Sequence, residues 1–187
     1  QVDQVFDGAS FALYRGGALA VQMPCFEQSI THVDLERRAE GWRIVEGEKE
    51  SHPDPWVQDY RVMVQSLRDY CRKTGFGKVL LGLSGGVDSA LVATIAVDAL
   101  GAENVRCVML PSEFTSQESL EDAEAVAKAL GCRYDYVPIS EGRAAITSTL
   151  APLFEGLAED LTEENIQSRL RGLLLMALSN KFGEMLL

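Results

Sequence analysis

The sequence predicts an α/β fold with a parallel, doubly wound sheet, and two observations support this prediction. The first is a short apolar run at 79–83, which is typical of a strand covered on both faces. The second is alternation, because strand patterns at 104–111 and 133–139 are separated by helical patterns. Such strands pair in parallel through right-handed crossovers, and ligands bind beyond their carboxyl ends. The segments expected to meet there are 84–86, 111–112 and 138–140.

Composition divides the chain into three segments. Residues 1–28 are β-rich, with an Arg15-Gly16-Gly17 turn between two strand patterns, and predict a β-hairpin. Residues 29–55 are charged and are interpreted as a linker, whereas residues 56–187 hold the alternating pattern. A first amphipathic helix is predicted from Trp56 to Lys73. Its inward stripe is interpreted as core packing by Trp56, Tyr60, Met63, Leu67 and Tyr70.

Composition also limits the function. The chain has 187 residues and a formal net charge of −11, which argues against a nucleic-acid-coating surface. Its four cysteines are scattered without a Cys-x-x-Cys pair, which favours a reducing cytoplasm and no structural zinc. Cys25 is interpreted as a packed thiol without an activating companion. No signal peptide or bilayer-length apolar span is present, and the first residue is not Met, so a fragment of a longer cytoplasmic chain is expected.

The segment from Lys78 to Ala93 predicts a strand, a tight turn and a helix. Adjacent glycines at 85 and 86 allow a sharp bend and leave the backbone amides uncovered. Asp88 is expected, with Ser89, to cap the helix that follows. Free amides and the positive end of a helix dipole favour a polyphosphate, with the nearby hydroxyls as further donors and Asp88 holding Mg²⁺. The alternative is a glycine-rich turn of purely structural importance.

The last predicted helix carries a second candidate site. Asn165 and Arg169 are four residues apart and therefore share one face, whereas Arg171 is expected to point elsewhere. A solvated surface arginine is the alternative for Arg169. Residues 173–178 are apolar nearly all round, which indicates a helix buried in a core or a subunit interface.

These motifs resemble one family. The loop at 84–89 lacks the Gly-Lys-Ser/Thr ending of a kinase-type loop and resembles the pyrophosphate loop of the ATP pyrophosphatase superfamily. Together with the stretches at 109–123 and 164–180 it resembles NAD synthetase, over about residues 56–187. Residues 1–28 resemble, more weakly, the last strands of the nitrilase-type glutaminase domain that precedes the synthetase in the glutamine-dependent form.

The resemblance implies an ATP-dependent amidation of deamido-NAD to NAD. The substrate carboxylate is adenylated with release of pyrophosphate, and ammonia, either free or derived from glutamine, then displaces AMP. Asn165 and Arg169 would contact deamido-NAD on a helix that lines a dimer interface, so a homo-oligomer is expected. Asp88 would bind Mg²⁺, and no catalytic residue is assigned. The residues implied to bind ATP are Gly82, Leu83, Ser84, Gly85, Gly86, Val87, Asp88 and Ser89.

Two parts of the family pattern are absent from the sequence. The glutaminase catalytic Glu, Lys and Cys are expected upstream, and a Thr-Gly-Asn-Lys-Ser-Glu segment with further ATP and Mg²⁺ contacts is expected downstream. The alternatives are another ATP pyrophosphatase, such as GMP synthetase or a tRNA-thiolating or lysidine-forming enzyme, and a non-catalytic adenine-nucleotide-binding module. A tRNA enzyme should show a basic face, and thiolation needs cysteines near the loop; neither is evident.

Overall fold

The structure of the protein, a computed structural model, describes residues 4–187. Two compact units divide the chain, Gln1–Asp69 and Tyr70–Leu187. The predicted 1–28 segment thus begins outside the described residues. Within residues 4–187, no helix is both long enough and apolar enough to cross a membrane.

The first unit contains two antiparallel hairpins. Strand β1 (Phe11–Leu13) pairs with β2 (Leu19–Gln22), which confirms the hairpin predicted around Arg15-Gly16-Gly17. A second hairpin, β3 (Leu35–Arg38) and β4 (Gly41–Ile44), lies inside the segment interpreted as a linker. The many charges of this segment obscured its strands. Cross-strand pairing explains why charged residues suit them, because Glu36 stands opposite Arg43.

Cys25 is buried, as predicted, but the expectation that it lacks a companion was wrong. Its Sγ lies 3.5 Å from Nδ1 of His52. The chain returns beside β2 here, because Gln22 donates its amide to Glu48 O at 3.0 Å and accepts from Glu50 N at 3.1 Å. The two side chains are 27 residues apart in sequence, so no local pattern indicated their contact.

Helix α1 (Pro55–Thr74) confirms the predicted helix and part of its predicted inward face. Trp56 is 81% exposed, Met63 41% and Tyr70 42%, whereas Val64 and Cys71 are buried. Residues spaced by three and four define several parallel stripes on one helix. The predicted stripe was therefore partly right, because Tyr60 and Leu67 are half-buried and share the helical spacing of Val64 and Cys71.

The second unit is built on a four-stranded parallel sheet in the order β7-β6-β5-β8. Its strands are β5 (Val79–Gly82), β6 (Val105–Met109), β7 (Arg133–Tyr136) and β8 (Met185–Leu186). Its helices are α2 (Val87–Leu100), α3 (Gln117–Leu130), α4 (Ser140–Leu150) and α5 (Leu161–Phe182). All five residues of β6 are buried, as expected for a central strand covered on both faces.

The order of the strands requires helices on both faces of the sheet. The chain moves outward from β5 through α2 and α3 to β7, and right-handed crossovers keep these two helices on one face. It then returns through α4 and α5 to β8, on the far side of β5. On that face, Leu170 of α5 packs into a core with Val108, Leu110 and Ile139. The predicted doubly wound α/β architecture is therefore confirmed.

The helix ends follow ordinary capping chemistry. Ser116 caps α3 by accepting the amide of Ser119 at 3.1 Å, and Gly131 ends that helix in the left-handed conformation. Helix α5 begins at Leu161, directly after its N-cap residue Asp160. Asp160 and Glu163 form its capping box, with Glu163 accepting the amide of Asp160 at 2.8 Å.

The amino edge of the sheet is held by a buried arginine. Arg106 of β6 is 4% exposed and its Nε lies 3.2 Å from a carboxylate oxygen of Glu184 and 3.4 Å from one of Asp135. Its guanidinium also stands 4.1 Å from the ring centroid of Phe182. These contacts place the end of α5 and the short strand β8, which the sequence analysis did not predict.

Candidate nucleotide-binding site

The candidate site lies at the carboxyl edge of the sheet, where β5 ends. Two hydrogen bonds align the strand ends there: Leu83 donates its amide to Val108 O, and Ile139 donates to Pro111 O, both at 2.9 Å. The predicted convergence of the segments after β5, β6 and β7 is therefore confirmed. The loop after β5, residues 83–86, leads directly into α2.

Two serine hydroxyls brace this loop from inside. Ser84 Oγ and Ser89 Oγ are 3.1 Å apart, and Ser89 Oγ donates to Gly86 O at 2.9 Å. In return, Ser84 N donates to Ser89 Oγ and Gly86 N to Ser84 Oγ, each at 3.2 Å. The hydroxyls expected to act as phosphate donors thus form hydrogen bonds within the loop.

The prediction that Asp88 and Ser89 cap α2 was wrong. The capping position is Gly86, which makes no side-chain capping bond, and Asp88 is exposed in the first helical turn. Because no side chain covers them, the first-turn amides of residues 87–89 lack an acceptor within the helix. The amide of Gly85 also makes no recorded hydrogen bond within residues 4–187. Four backbone donors are therefore free in the loop and the first turn of α2, at the positive end of that helix, which suits a polyphosphate.

The two glycines of the loop have different roles. Gly85 has φ +84°, and an added Cβ would lie 2.3 Å from the carbonyl oxygen of Ser119 in α3. Gly86 has φ −83° and ψ 157°, and an added Cβ would meet only Ser84 Oγ at 3.4 Å. Only the position of Gly85 therefore requires glycine for backbone reasons, because its conformation is left-handed and α3 approaches it closely.

A second loop, residues 110–116, forms the neighbouring wall and leads into α3. Thr115 Oγ1 accepts the amide of Ser112 at 3.0 Å, and Arg143 of α4 forms an ion pair with Glu113. The guanidinium of Arg143 also stands 5.3 Å from the ring centroid of Phe114. The sequence linked the stretch 109–123 to the family but gave these residues no role; the Ser-x-x-Ser spacing at the start of α3 was the local signal available.

A cavity of about 770 Å³ opens between this loop and the first half of α5. Ser112 and Thr115 line one side, and Gln167 and Arg171 line the other. As predicted, Arg171 points elsewhere than Asn165 and Arg169, because its Nε donates to Leu110 O at 3.0 Å.

Asn165 and Arg169 lie on one face of α5, as predicted. Arg169 Nη1 donates to Asn165 Oδ1 at 3.3 Å, and both residues are exposed. Within residues 4–187, no recorded hydrogen bond joins either of them to the loop at 84–89. Their role in substrate binding therefore stays a prediction.

Comparison with known proteins decides the family. Residues 59–187 match the NAD synthase family model. A glutamine-dependent NAD(+) synthetase of Rhodobacter capsulatus is 60% identical over the whole chain, which spans 34% of that relative. The chain belongs to the NAD synthase family.

Solved structures agree with this membership. The glutamine-dependent NAD⁺ synthetase of Acinetobacter baumannii, solved with ADP, is 41% identical with a TM-score of 0.92 over 97% of this chain and 34% of its own. The NH₃-dependent NAD synthetase of Campylobacter jejuni, solved with nitrate, is 27% identical with a TM-score of 0.64 over 72% of this chain and 56% of its own. The chain thus spans about a third of the glutamine-dependent relatives, and its sheet is that of the ATP pyrophosphatase fold.

The acidic residues of this NAD synthase chain fit a magnesium ion held mainly by its nucleotide. Within the described residues, no group of three or more His, Cys, Asp or Glu side chains could hold a metal alone. Asp88 is an exposed carboxylate beside the four free amides. Magnesium is usually bound by one or two carboxylates, with water and substrate phosphates completing its coordination. As an exposed carboxylate in the first turn of α2, Asp88 has the chemistry for such a contact.

Proposed function

We propose that the protein catalyses the ATP-dependent amidation of deamido-NAD to NAD, with glutamine or ammonia as nitrogen donor and AMP and pyrophosphate as by-products. The observation that carries this proposal is the set of four unpaired amides at residues 85 and 87–89, at the strand end where this family's pyrophosphate loop is expected. The family membership supports the substrate, and the ADP in the Acinetobacter relative supports an adenine nucleotide in this loop.

The residues of the loop act on the phosphates of ATP. In the proposed reaction a carboxylate oxygen of deamido-NAD attacks the α-phosphorus and pyrophosphate leaves; ammonia then forms the C–N bond, and AMP leaves with the oxygen. The amides and the α2 dipole would stabilise charge on the departing pyrophosphate with little reorganisation, since hydrogen bonds within the loop already hold its shape. Mg²⁺ bound to Asp88 would neutralise further phosphate charge. Asn165 and Arg169 are the proposed contacts to deamido-NAD.

The remaining parts of the proposal concern organisation. We place the protein in the cytoplasm as a homo-oligomer that binds small molecules and neither nucleic acid nor membrane. The apolar surface of α5 supports self-association, because Leu173 is 64% and Met176 46% exposed. We assign residues 1–28 to the end of a glutaminase domain, residues 29–55 to its junction, and residues 56–187 to the beginning of the synthetase domain.

The decisive test uses the full-length protein and exchange of labelled pyrophosphate into ATP. Exchange should require deamido-NAD, and NAD should form with either glutamine or ammonium salt. Asp88→Asn should reduce exchange by at least tenfold, since loss of a metal contact at a developing charge costs a few kcal/mol. Glu124→Gln, an exposed carboxylate of α3, is the matched control and should have no effect.

Other outcomes separate the alternatives. Exchange that requires xanthosine monophosphate would identify a GMP synthetase, and exchange that requires tRNA would identify a tRNA-modifying enzyme. Nucleotide binding without any exchange would identify a non-catalytic module. Cys25→Ala should retain activity with both nitrogen donors, although His52 lies beside this thiol, because Cys25 is buried and assigned to packing. Selective loss of glutamine-dependent synthesis would contradict that assignment.

A further inference from the structure

The side chain of Arg171 hydrogen-bonds to the backbone at the end of a distant strand. Its Nε donates to the carbonyl oxygen of Leu110 at 3.0 Å, across 61 residues of sequence. Leu110 directly follows β6 and is 6% exposed. The arginine itself is half-buried and lines the cavity beside loop 110–116. A surface arginine held only by solvent would make no such contact.

The register of the sheet explains why this carbonyl needs a donor. Strands β5 and β6 are parallel, with Gly82 beside Val108, and the last bond between them runs from Leu83 N to Val108 O at 2.9 Å. A parallel ladder advances by two residues on each strand. Its next bond would therefore run from Gly85 N to Leu110 O. That bond is absent because the chain leaves the sheet at residue 84 to form the loop.

Arg171 thus takes the place of a missing ladder bond. A buried backbone carbonyl without a partner is costly, so a donor from elsewhere stabilises the departure of β5 from the sheet. With Leu110 O already satisfied, the amide of Gly85 stays available to a ligand. The same contact holds the start of loop 110–116, whose far end continues into α3, where Ser119 packs against Gly85.

We propose that Arg171 is a positioning residue for the nucleotide loop at 83–86 and acts through its hydrogen bond to Leu110. This bond keeps the amide of Gly85 free, and it holds the α3 end of loop 110–116 against Gly85. This inference deepens the proposed function and rests on it for the identity of the ligand. It gives Arg171 a role distinct from that of Arg169, which is proposed to contact deamido-NAD.

The test compares Arg171→Ala, Arg171→Lys and the same-helix control Lys181→Ala in the full-length protein. Affinity for α,β-methylene ATP, which resists cleavage, is measured by titration calorimetry. Arg171→Ala should raise the Kd about tenfold, and Arg171→Lys should raise it less, because an ammonium group can still donate to the carbonyl. Lys181→Ala should leave the Kd unchanged, since Lys181 is exposed in the last turn of α5.

Three further measurements distinguish positioning from a general loss of structure. Guanidinium ion at millimolar concentration should restore ATP affinity to Arg171→Ala. In the same variant without guanidinium, hydrogen exchange of the amides of residues 110–116 should be faster than in the wild type. The KM of this variant for deamido-NAD should change less than twofold. A lower melting temperature with unchanged Kd would overturn the proposal, as would equal losses in both substrates. If Arg171→Ala does not fold, Arg171→Lys decides: an unchanged Kd overturns the proposal, and a raised Kd with a raised exchange rate at 110–116 supports it.

The same experiment separates this inference from the proposed function. A wild-type protein that binds the ATP analogue but shows no exchange with deamido-NAD would contradict the amidation, and the calorimetric comparison would still test Arg171. A wild-type protein with normal NAD synthesis and an Arg171→Ala variant of unchanged Kd would contradict only the positioning role.

Discussion

Replacing Gly85 with alanine should weaken nucleotide binding far more than the same change at Gly86. The two positions are adjacent in the loop, and both changes add one methyl group. At Gly85 that group would lie 2.3 Å from Ser119 O and 2.9 Å from Ser119 Cα, whereas at Gly86 the nearest atom is a serine hydroxyl at 3.4 Å. The pair is therefore a matched comparison of a backbone clash with an ordinary contact.

The expected magnitude follows from conformation and distance. A left-handed backbone costs an L-residue about 1–2 kcal/mol, and Gly85 has φ +84°. Weak carbon–oxygen contacts lie at about 3.3–3.6 Å, so the added methyl requires a displacement of about 1 Å between the loop and α3. A total of about 2 kcal/mol lost from the binding-competent loop corresponds to a roughly 30-fold rise in Kd. Gly86 already has an extended backbone, so its alanine variant should stay within about threefold of wild type.

Titration calorimetry with α,β-methylene ATP measures both variants, and thermal melting shows whether they are folded. Gly85→Ala should bind roughly 30-fold more weakly while its melting temperature changes by only a few degrees. The reasoning fails if Gly85→Ala binds within threefold of wild type. It also fails if Gly86→Ala is the weaker binder, because steric access to the ligand would then matter more than the shape of the loop.

Three further predictions concern stability and reactivity. Leu80→Ala should destabilise the protein by about 3 kcal/mol in urea unfolding, because Leu80 is fully buried in the central strand β5 and its truncation leaves a cavity. Hydrogen bonds from the hydroxyl and amide of Thr162 lower the pKa of Asp160. The stabilisation from this cap is therefore complete above the ordinary aspartate pKa of about 4, and it is lost as the pH falls through the lowered pKa. Asp160→Asn should remove that pH dependence from the melting temperature, and an unchanged acid profile would contradict it. Burial raises the pKa of the Cys107 thiol, so iodoacetamide at pH 8 should alkylate the partly exposed Cys132 first, although the two sulfurs are only 3.5 Å apart. Equal alkylation rates of the two cysteines, measured by peptide mass spectrometry, would refute this.

Local patterns predicted the central strand-turn-helix correctly. The apolar run at 79–83, the adjacent glycines and the following helical period all lie within about twenty residues, and each describes the conformation of its own segment. Alternation of strands and helices then predicted the parallel sheet, because few topologies satisfy the handedness of crossovers. The face of α1 was the exception, since several stripes on one helix share the same spacing and only packing selects one of them.

Contacts between distant segments could not be predicted in the same way. The approach of His52 to Cys25 depends on a chain return after β2, and the hairpin of β3 and β4 is concealed by its charged side chains. Strand β8 is only two residues long, and its position beside β5 depends on the buried pairing of Arg106 with Glu184. None of these features has a periodic signal, because each depends on a partner supplied by another part of the chain.

The sequence by itself determined which residues form the loop between β5 and α2, because glycines and a helix start have local conformational consequences. Only the tertiary structure decided which structural role each of those residues has. It showed that Gly85 is confined by α3, that Gly86 is not, and that the serine hydroxyls bond within the loop. It also turned Arg171 toward Leu110, where β5 has left the sheet. The physical reason is that a carbonyl left without its ladder partner can accept a hydrogen bond from any segment that lies close to it. Sequence spacing does not show which distant segment that will be.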